Sequence, residues 1–223
     1  DGKYYIQSKL GTVLDVTSAS AAGTNVQTYT FNQSTAQKWT LLETEKTLYS
    51  IMGKTNVSVS QMVKFYKNKA TVSYPYSNVS EAPTIEKFCQ IYKEESEVEG
   101  VKAEVAFAQA MMETGFLKFG GDVKKDQYNF AGIGAIGGGS SGAKFDSIRI
   151  GIRAHVQHLK AYASKEALKQ TVVDPRFQYV KRGSAEYVQW LGQKENPNGY
   201  GWATAKNYGN NIVKLYILPM KKY

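Results

Sequence analysis

Apolar positions recur at helical spacing along most of this chain and cluster in short strand-like runs only near its start. In the stretch 101–119, Val101, Val105, Ala108 and Met112 fall at i, i+4, i+7 and i+11, which predicts one apolar helix face. Ala103, Ala106 and Ala110 add helix propensity, and Gly115 is a C-cap position, so the helix should stop there. Further helices are predicted where Val59, Met62, Val63 and Tyr66 share a face, with Ser58 or Ser60 as N-cap. The same pattern recurs in Ile85, Phe88, Ile91 and Tyr92 after Pro83, and in Ile148, Ile152, Val156 and Leu159. A helix capped by Ser184 and a closing helix carrying Tyr208, Ile212, Leu215 and Tyr216 complete the set. Residues 4–42 read differently. YYIQS, TVLDVT, NVQTYTF and QKWTLL are strand-like, punctuated by Gly11, Ala22-Gly23 and Asn32-Gln33-Ser34.

Composition narrows the classes. Two hundred and twenty-three residues at 42% apolar content are enough for one or two domains with a proper core. No apolar run approaches the ~18 residues of a membrane span. The opening DGKYYI has no leader pattern and suggests a mature product or an excised fragment. Cys89, the single cysteine, lies in the amphipathic IEKFCQIY and reads as a buried thiol. Residues 1–50 hold four Lys and four acids, so the whole +9 excess lies beyond them. Such a surface favours polyanions, and no nucleic-acid module accompanies it. The acidic run Glu94–Glu99 reads as a solvated helix face. His155 and His158 lack a third ligand at recognised spacing, so neither a metal nor a cofactor is expected. Gly134–Phe145 is too glycine-rich to pack a core and reads as a mobile lid or small lobe.

The candidate chemistry sits at the end of the 101–119 stretch. Glu113 falls in the last helical turn, where unpaired carbonyls disfavour a carboxylate, and Phe116 and Phe119 supply an apolar wall. Both effects raise a carboxyl pKa, as a general acid near neutral pH requires. A plain helix-terminal surface glutamate is the alternative. Three segments then act together: Glu113-Thr114-Gly115, Asn129-Phe130-Ala131-Gly132-Ile133, and GIRAHVQHLKAYA (Gly151 to Ala163). In this order they resemble the N-acetylglucosaminidases of glycoside hydrolase family 73, bacterial autolysins that cut the glycan strands of peptidoglycan. The resemblance runs from about Thr84 to Tyr216.

That resemblance implies a mainly α, lysozyme-like catalytic domain with Glu113 as general acid. It also implies a second acid in the opposite wall, and Asp146 stands at the matching distance along the chain. Asp146 as N-cap of the helix starting near Ile148 is the competing reading. Without a second carboxylate the substrate's own acetamido group would act as nucleophile. Tyr208 matches an active-site tyrosine of the family and would orient that group or stabilise the oxocarbenium ion. Tyr128, Asn129 and Phe130 fall in the family's loop motif as substrate-binding positions. Tyr200 and Trp202 are expected to stack on sugar.

The N-terminal LDV, GTNVQTY and Gln37-x-Trp39 resemble a single ricin-type β-trefoil lectin repeat. In that family Trp39 would pack the core, while Asp15, Gln27, Tyr29 and Asn32 would face sugar. One repeat cannot close a barrel, so a small β appendage is the favoured expectation. The organisation read here is 1–43 as a partial trefoil repeat, 44–83 as connector and lead-in helix, and 84–223 as the glucosaminidase domain. The fold class is mainly α (α+β). The expected partners are peptidoglycan strands and anionic wall polymers, and the expected location is secreted and wall-associated. Muramidase or lytic transglycosylase action, or wall binding without catalysis, are the rival readings.

Overall fold

Strand-forming residues near the start pair into a two-stranded antiparallel ribbon of β1 (Val13–Val16) and β2 (Val26–Tyr29). The computed structural model describes residues 4–17, 25–39, 48–135 and 141–223. It divides into two units, 1–47 and 48–223, each taken here by itself. In the first, Val13 pairs with Tyr29 and Val16 with Val26. The expected outer strands contract to isolated bridges, Tyr4 with Trp39 and Gln7 with Val13. The Ala22-Gly23 turn lies outside the described residues. Trp39 donates its indole N–H to the Leu14 carbonyl at 3.0 Å. Asp15 is buried, with one carboxylate oxygen accepting from Gln27 at 3.3 Å and the other from Gln37 at 3.1 Å. Its oxygens therefore tie the ribbon to the Gln37 turn, which corrects the expectation that Asp15 faces sugar.

The second unit is helical. α1 (Val59–Lys69) starts at Ser58 with a capping box closed by Gln61, and buries Met62, Phe65 and Tyr66. It packs against α2 (Ile85–Glu99), which Thr84 caps and Gly100 ends in the left-handed region. α3 (Ala103–Thr114) is buried on almost every side rather than along one stripe. Its small alanines let α1, α2, α4 (Ile148–Ala163) and the closing helix approach it together. The closing helix runs as α5 (Tyr208–Asn211), a π-helical stretch Ile212–Ile217, and α6 (Leu218–Met220). Pro219 has no N–H to donate, and a proline ring clashes with the carbonyl four residues back in a regular α-helix, which favours the wider turn before it.

Two expectations are corrected in this unit. Ser184 opens no α-helix, and only a 3-10 turn at Val188–Leu191 follows. The intervening backbone is committed elsewhere, since Ile51 N–H donates to Glu186 and Val188 N–H to Tyr49. The acidic run is solvated only in part, with Glu97 exposed. Glu95 and Glu99 are only 3% and 1% exposed. Arg149 and Arg153 of α4 hold Glu95 at 2.8 and 2.9 Å, and Lys160 holds Glu99 at 2.9 Å. Basic residues on α4 face the acids of α2, a match invisible to either helix alone. Cys89 is buried, and burial pushes its thiol pKa up.

Candidate active site

The end of α3 builds the site. Gly115 adopts φ 57°, ψ 51° and accepts the left-handed cap. Phe116, Leu117 and Phe119 follow at φ 57°, 62° and 57°, a cluster of left-handed non-glycine residues. Such positions each cost on the order of 1–3 kcal/mol and persist only where packing over-determines them. Here Leu117 is buried and Phe116 stacks on Tyr216 at 5.6 Å. Thr114 stitches the turn together: its hydroxyl donates to the Ala110 carbonyl at 2.7 Å and accepts from Leu117 N–H at 3.0 Å. The middle residue of Glu-Thr-Gly thus folds the chain back sharply beside Glu113.

Glu113 lines a hollow of about 270 Å³ with Thr114, Phe119, Asp122, Asn129 and Ala135 among its neighbours. Water reaches it, yet protein crowds the carboxyl closely enough that burial raises its pKa above the ordinary carboxylate value. The Tyr208 hydroxyl opposes that rise by donating a hydrogen bond to Oε1. Tyr208 comes from the start of α5, where Gly209 is essential. A Cβ there would sit 1.9 Å from the Val188 carbonyl oxygen, so only glycine lets α5 press that close. Burial, then Glu113, pushes the Tyr208 phenol pKa well up, so it remains a donor.

The opposite side is the Tyr128–Ala135 loop. Asn129 is buried; its amide donates to the Ile133 and Ala143 carbonyls at 2.9 and 3.0 Å. Its carbonyl accepts from Ile133 N–H at 2.9 Å. Gly151 of α4 admits this loop, because a Cβ would lie 1.8 Å from the Tyr128 carbonyl oxygen. Beyond Gly132 and Ala135 lies a second hollow of about 240 Å³, lined by His158, Tyr162, Arg176, Tyr179 and Trp202 as well. Trp202 meets His158 edge-on at 4.7 Å. His158 Nδ1 in turn lies 2.6 Å from the Asp174 carboxylate.

These positions sort the expected site residues. Glu113 and Tyr208 are in direct contact, and Asn129 frames the same hollow from within its loop. Trp202 lines the adjoining hollow. Tyr128 is half-buried and takes φ 50°, where it turns the chain into the loop. Phe130 is corrected: it is 0% exposed, packed on Phe88 at 5.1 Å, and touches no open space. Tyr200 is exposed under the Lys181 ammonium, 3.9 Å from its ring centre, and lines neither hollow. Asp146 is exposed and lines neither hollow. It does not cap α4 either, since Ser147 accepts from Ile150 N–H and Glu81 accepts from Ser147 and Arg149. Asp122, close to Glu113 along the chain, lies beyond the left-handed turn and lines the same hollow as Glu113. Of Gly134–Phe145, residues 136–140 lie outside the described residues.

Burial, aided by His158, holds the His155 pKa down at about 3 against the usual 6.5. The unfolded chain therefore binds a proton below pH 6.5 that the folded chain refuses, so acidification destabilises the fold. The expected loss is about 1.4 kcal/mol per pH unit between pH 6 and 5, apart from carboxylate contributions. Urea denaturation of wild type and His155→Asn across that range checks it. Parallel pH slopes in the two proteins would contradict it.

Comparison with known proteins agrees with this architecture. Residues 89–217 match the family described as glucosaminidase, mannosyl-glycoprotein endo-beta-N-acetylglucosaminidase. Residues 1–72 match a ricin-type beta-trefoil lectin domain-like family, a match running past the β unit to beyond the end of α1. An uncharacterized protein of Borreliella burgdorferi is 46% identical over 132 residues, 59% of this chain and 61% of that protein. The chain thus spans less than two thirds of that relative's length. A crystal structure of a catalytic mutant of S. aureus autolysin E with the disaccharide NAG-NAM is similar at TM-score 0.51 and 17% identity. That likeness covers 85% of this chain and 82% of the autolysin chain, and it is one of fold. With more than half of its residues matched, this chain belongs to the glucosaminidase family.

Proposed function

We propose that this protein hydrolyses the glycan strand of peptidoglycan as an endo-β-N-acetylglucosaminidase, with Glu113 as the general acid. One observation carries the reading: a glutamate carboxyl, crowded enough that burial raises its pKa, opens into a hollow while a tyrosine holds one of its oxygens. Burial raises the Glu113 pKa above the ordinary carboxylate value, the direction a group that delivers a proton to the leaving glycosidic oxygen requires. Family membership supports hydrolase chemistry, and the NAG-NAM complex of the similar autolysin supports the substrate class. The +9 net charge suits a wall rich in phosphate and carboxylate, hence a secreted, wall-associated role. Among the described residues no helix is long and apolar enough to cross a membrane. Trp202, edge-on to His158 beside the second hollow, is the sugar platform in this reading.

Asp122 is the better placed second carboxylate, because it shares the hollow with Glu113 and Asp146 does not. Purified peptidoglycan incubated with the protein should gain reducing ends, and no gain would refute hydrolysis. In the same assay Asp122→Asn should cost at least ~10²-fold, the usual scale of one acid–base group. Asp146→Asn should cost much less. The reverse order would assign the second acid to Asp146. Full activity in both variants would favour the acetamido-assisted route.

A further inference from the structure

Behind Glu113 the core contains an unbroken run of hydrogen bonds linking four helices. The Tyr92 hydroxyl of α2 lies 3.1 Å from His155 Nδ1 of α4. His155 Nε2 lies 2.9 Å from Gln109 Oε1 of α3. Gln109 Nε2 donates to the Tyr208 hydroxyl at 2.8 Å, and Tyr208 donates to Glu113 Oε1. Tyr92, Gln109 and His155 are 0% exposed, so bulk solvent reaches none of them. Gln109 and Glu113, one helical turn apart, both reach the same tyrosine.

Proton accounting fixes the direction of this run. An ionised carboxylate only accepts, so the single Tyr208 proton points at Glu113. The Tyr208 oxygen must then accept from Gln109, which turns the amide nitrogen toward Tyr208 and the amide oxygen toward His155. His155 must therefore carry its proton on Nε2 and leave Nδ1 bare. Tyr92 then donates to Nδ1. Every donor points toward the hollow, and no link can reverse alone without setting two donors or two acceptors face to face. A proton arriving on Oε1 of Glu113 would meet the Tyr208 hydroxyl. That hydroxyl could turn only toward the Gln109 amide, itself a donor.

We propose that the Tyr92–His155–Gln109–Tyr208 relay confines the exchangeable proton of Glu113 to Oε2, making Gln109 and His155 positioning residues for the acid. The proposal rests on Glu113 being the acid of the reaction above. In that reaction the Oε2 proton passes to the leaving glycosidic oxygen, and the resulting carboxylate keeps its Oε1 bond to Tyr208. A neutral imidazole has one donor and one acceptor, which the relay requires, and the lowered His155 pKa keeps it neutral over the working range. Besides Tyr208, Tyr216 of the closing helix and Asp122 of the hollow are the titratable groups near Glu113. Neither is hydrogen-bonded to the relay among the described residues.

The imidazole ¹⁵N shifts of His155 in the intact wild-type protein test the direction without a variant. The Nε2-protonated tautomer is expected from pH 5 to 8, and an Nδ1-protonated ring would overturn the relay. This readout does not depend on whether the protein cuts glycan, so the two readings fail separately. The ¹³C-carboxyl titration of Glu113 in Gln109→Met then tests the coupling. Without the Gln109 donor, Tyr208 is freed to turn from Glu113, and the Glu113 pKa should rise by up to about one unit, the scale of a hydrogen bond to a charged group. The basic limb of the kcat/KM profile should rise with it, while KM stays unchanged. Tyr92→Phe, which keeps the ring packing, should shift the limb the same way by less. An unmoved Glu113 titration in folded Gln109→Met, or in Tyr92→Phe if that protein fails to fold, would overturn the proposal.

Discussion

Glu113→Gln should lose wall-lytic activity by at least ~10²-fold while the protein still binds purified walls. Glutamine keeps the volume and can still accept from Tyr208 through its amide oxygen, so the left-handed turn after Gly115 and the packing of Phe116 on Tyr216 are undisturbed. Only the transferable proton is removed. The replacement should also spare stability, because the raised Glu113 pKa marks a carboxylate the fold tolerates poorly. The folded state holds a Glu113 proton more tightly than the unfolded state, so above the ordinary carboxylate pKa the ionised group is a net cost. The glutamine variant should therefore melt at or above the wild-type temperature at pH 7. Turbidity of a wall suspension and a melting curve on the same sample read both outcomes. Lysis at more than a tenth of the wild-type rate would exclude Glu113 as the acid.

Lys160→Met should destabilise the fold by about 3–5 kcal/mol, the usual result of stranding one member of a buried ion pair. Lys160 and Glu99 both have fully buried side chains, 2.9 Å apart. Glu99 also accepts from the backbone N–H groups of Lys169 and Gln170 at 3.0 Å each, which anchors the segment after α4 to the end of α2. With the ammonium gone, the carboxylate retains those bonds but no compensating charge. Pairing the change with Glu99→Gln should recover part of the loss, since the uncompensated charge goes too. Urea denaturation of the two single variants and the double variant measures this coupling. A loss below about 1 kcal/mol in Lys160→Met would mean that water reaches the pair.

The local signals were legible in the sequence. Ser58, one of the two N-caps offered for α1, Gly115 after α3 and the apolar faces of α1, α2 and α4 are all short-range features, and the structure places each of them there. The partnerships were not. Glu95 and Glu99 look solvated until α4 brings Arg153 and Lys160 against them. His155 and His158 look like a pair, yet one points to Gln109 and the other to Asp174. Gln109 was not singled out, being a polar residue inside an alanine-rich helix whose partners lie far along the chain. A glutamine on the fully buried face of such a helix is itself a cue, because a buried amide must find partners. Asp122 was hidden by the same left-handed turn that shapes the site.

The sugar at the new reducing ends of digested peptidoglycan tests the central claim most directly. Walls should be digested to completion, the ends reduced with borohydride, and the products separated and weighed by mass spectrometry. Cleavage as an N-acetylglucosaminidase predicts reduced N-acetylglucosamine at those ends. Reduced N-acetylmuramic acid would contradict it and indicate a muramidase, and anhydro ends would contradict it in favour of a transglycosylase.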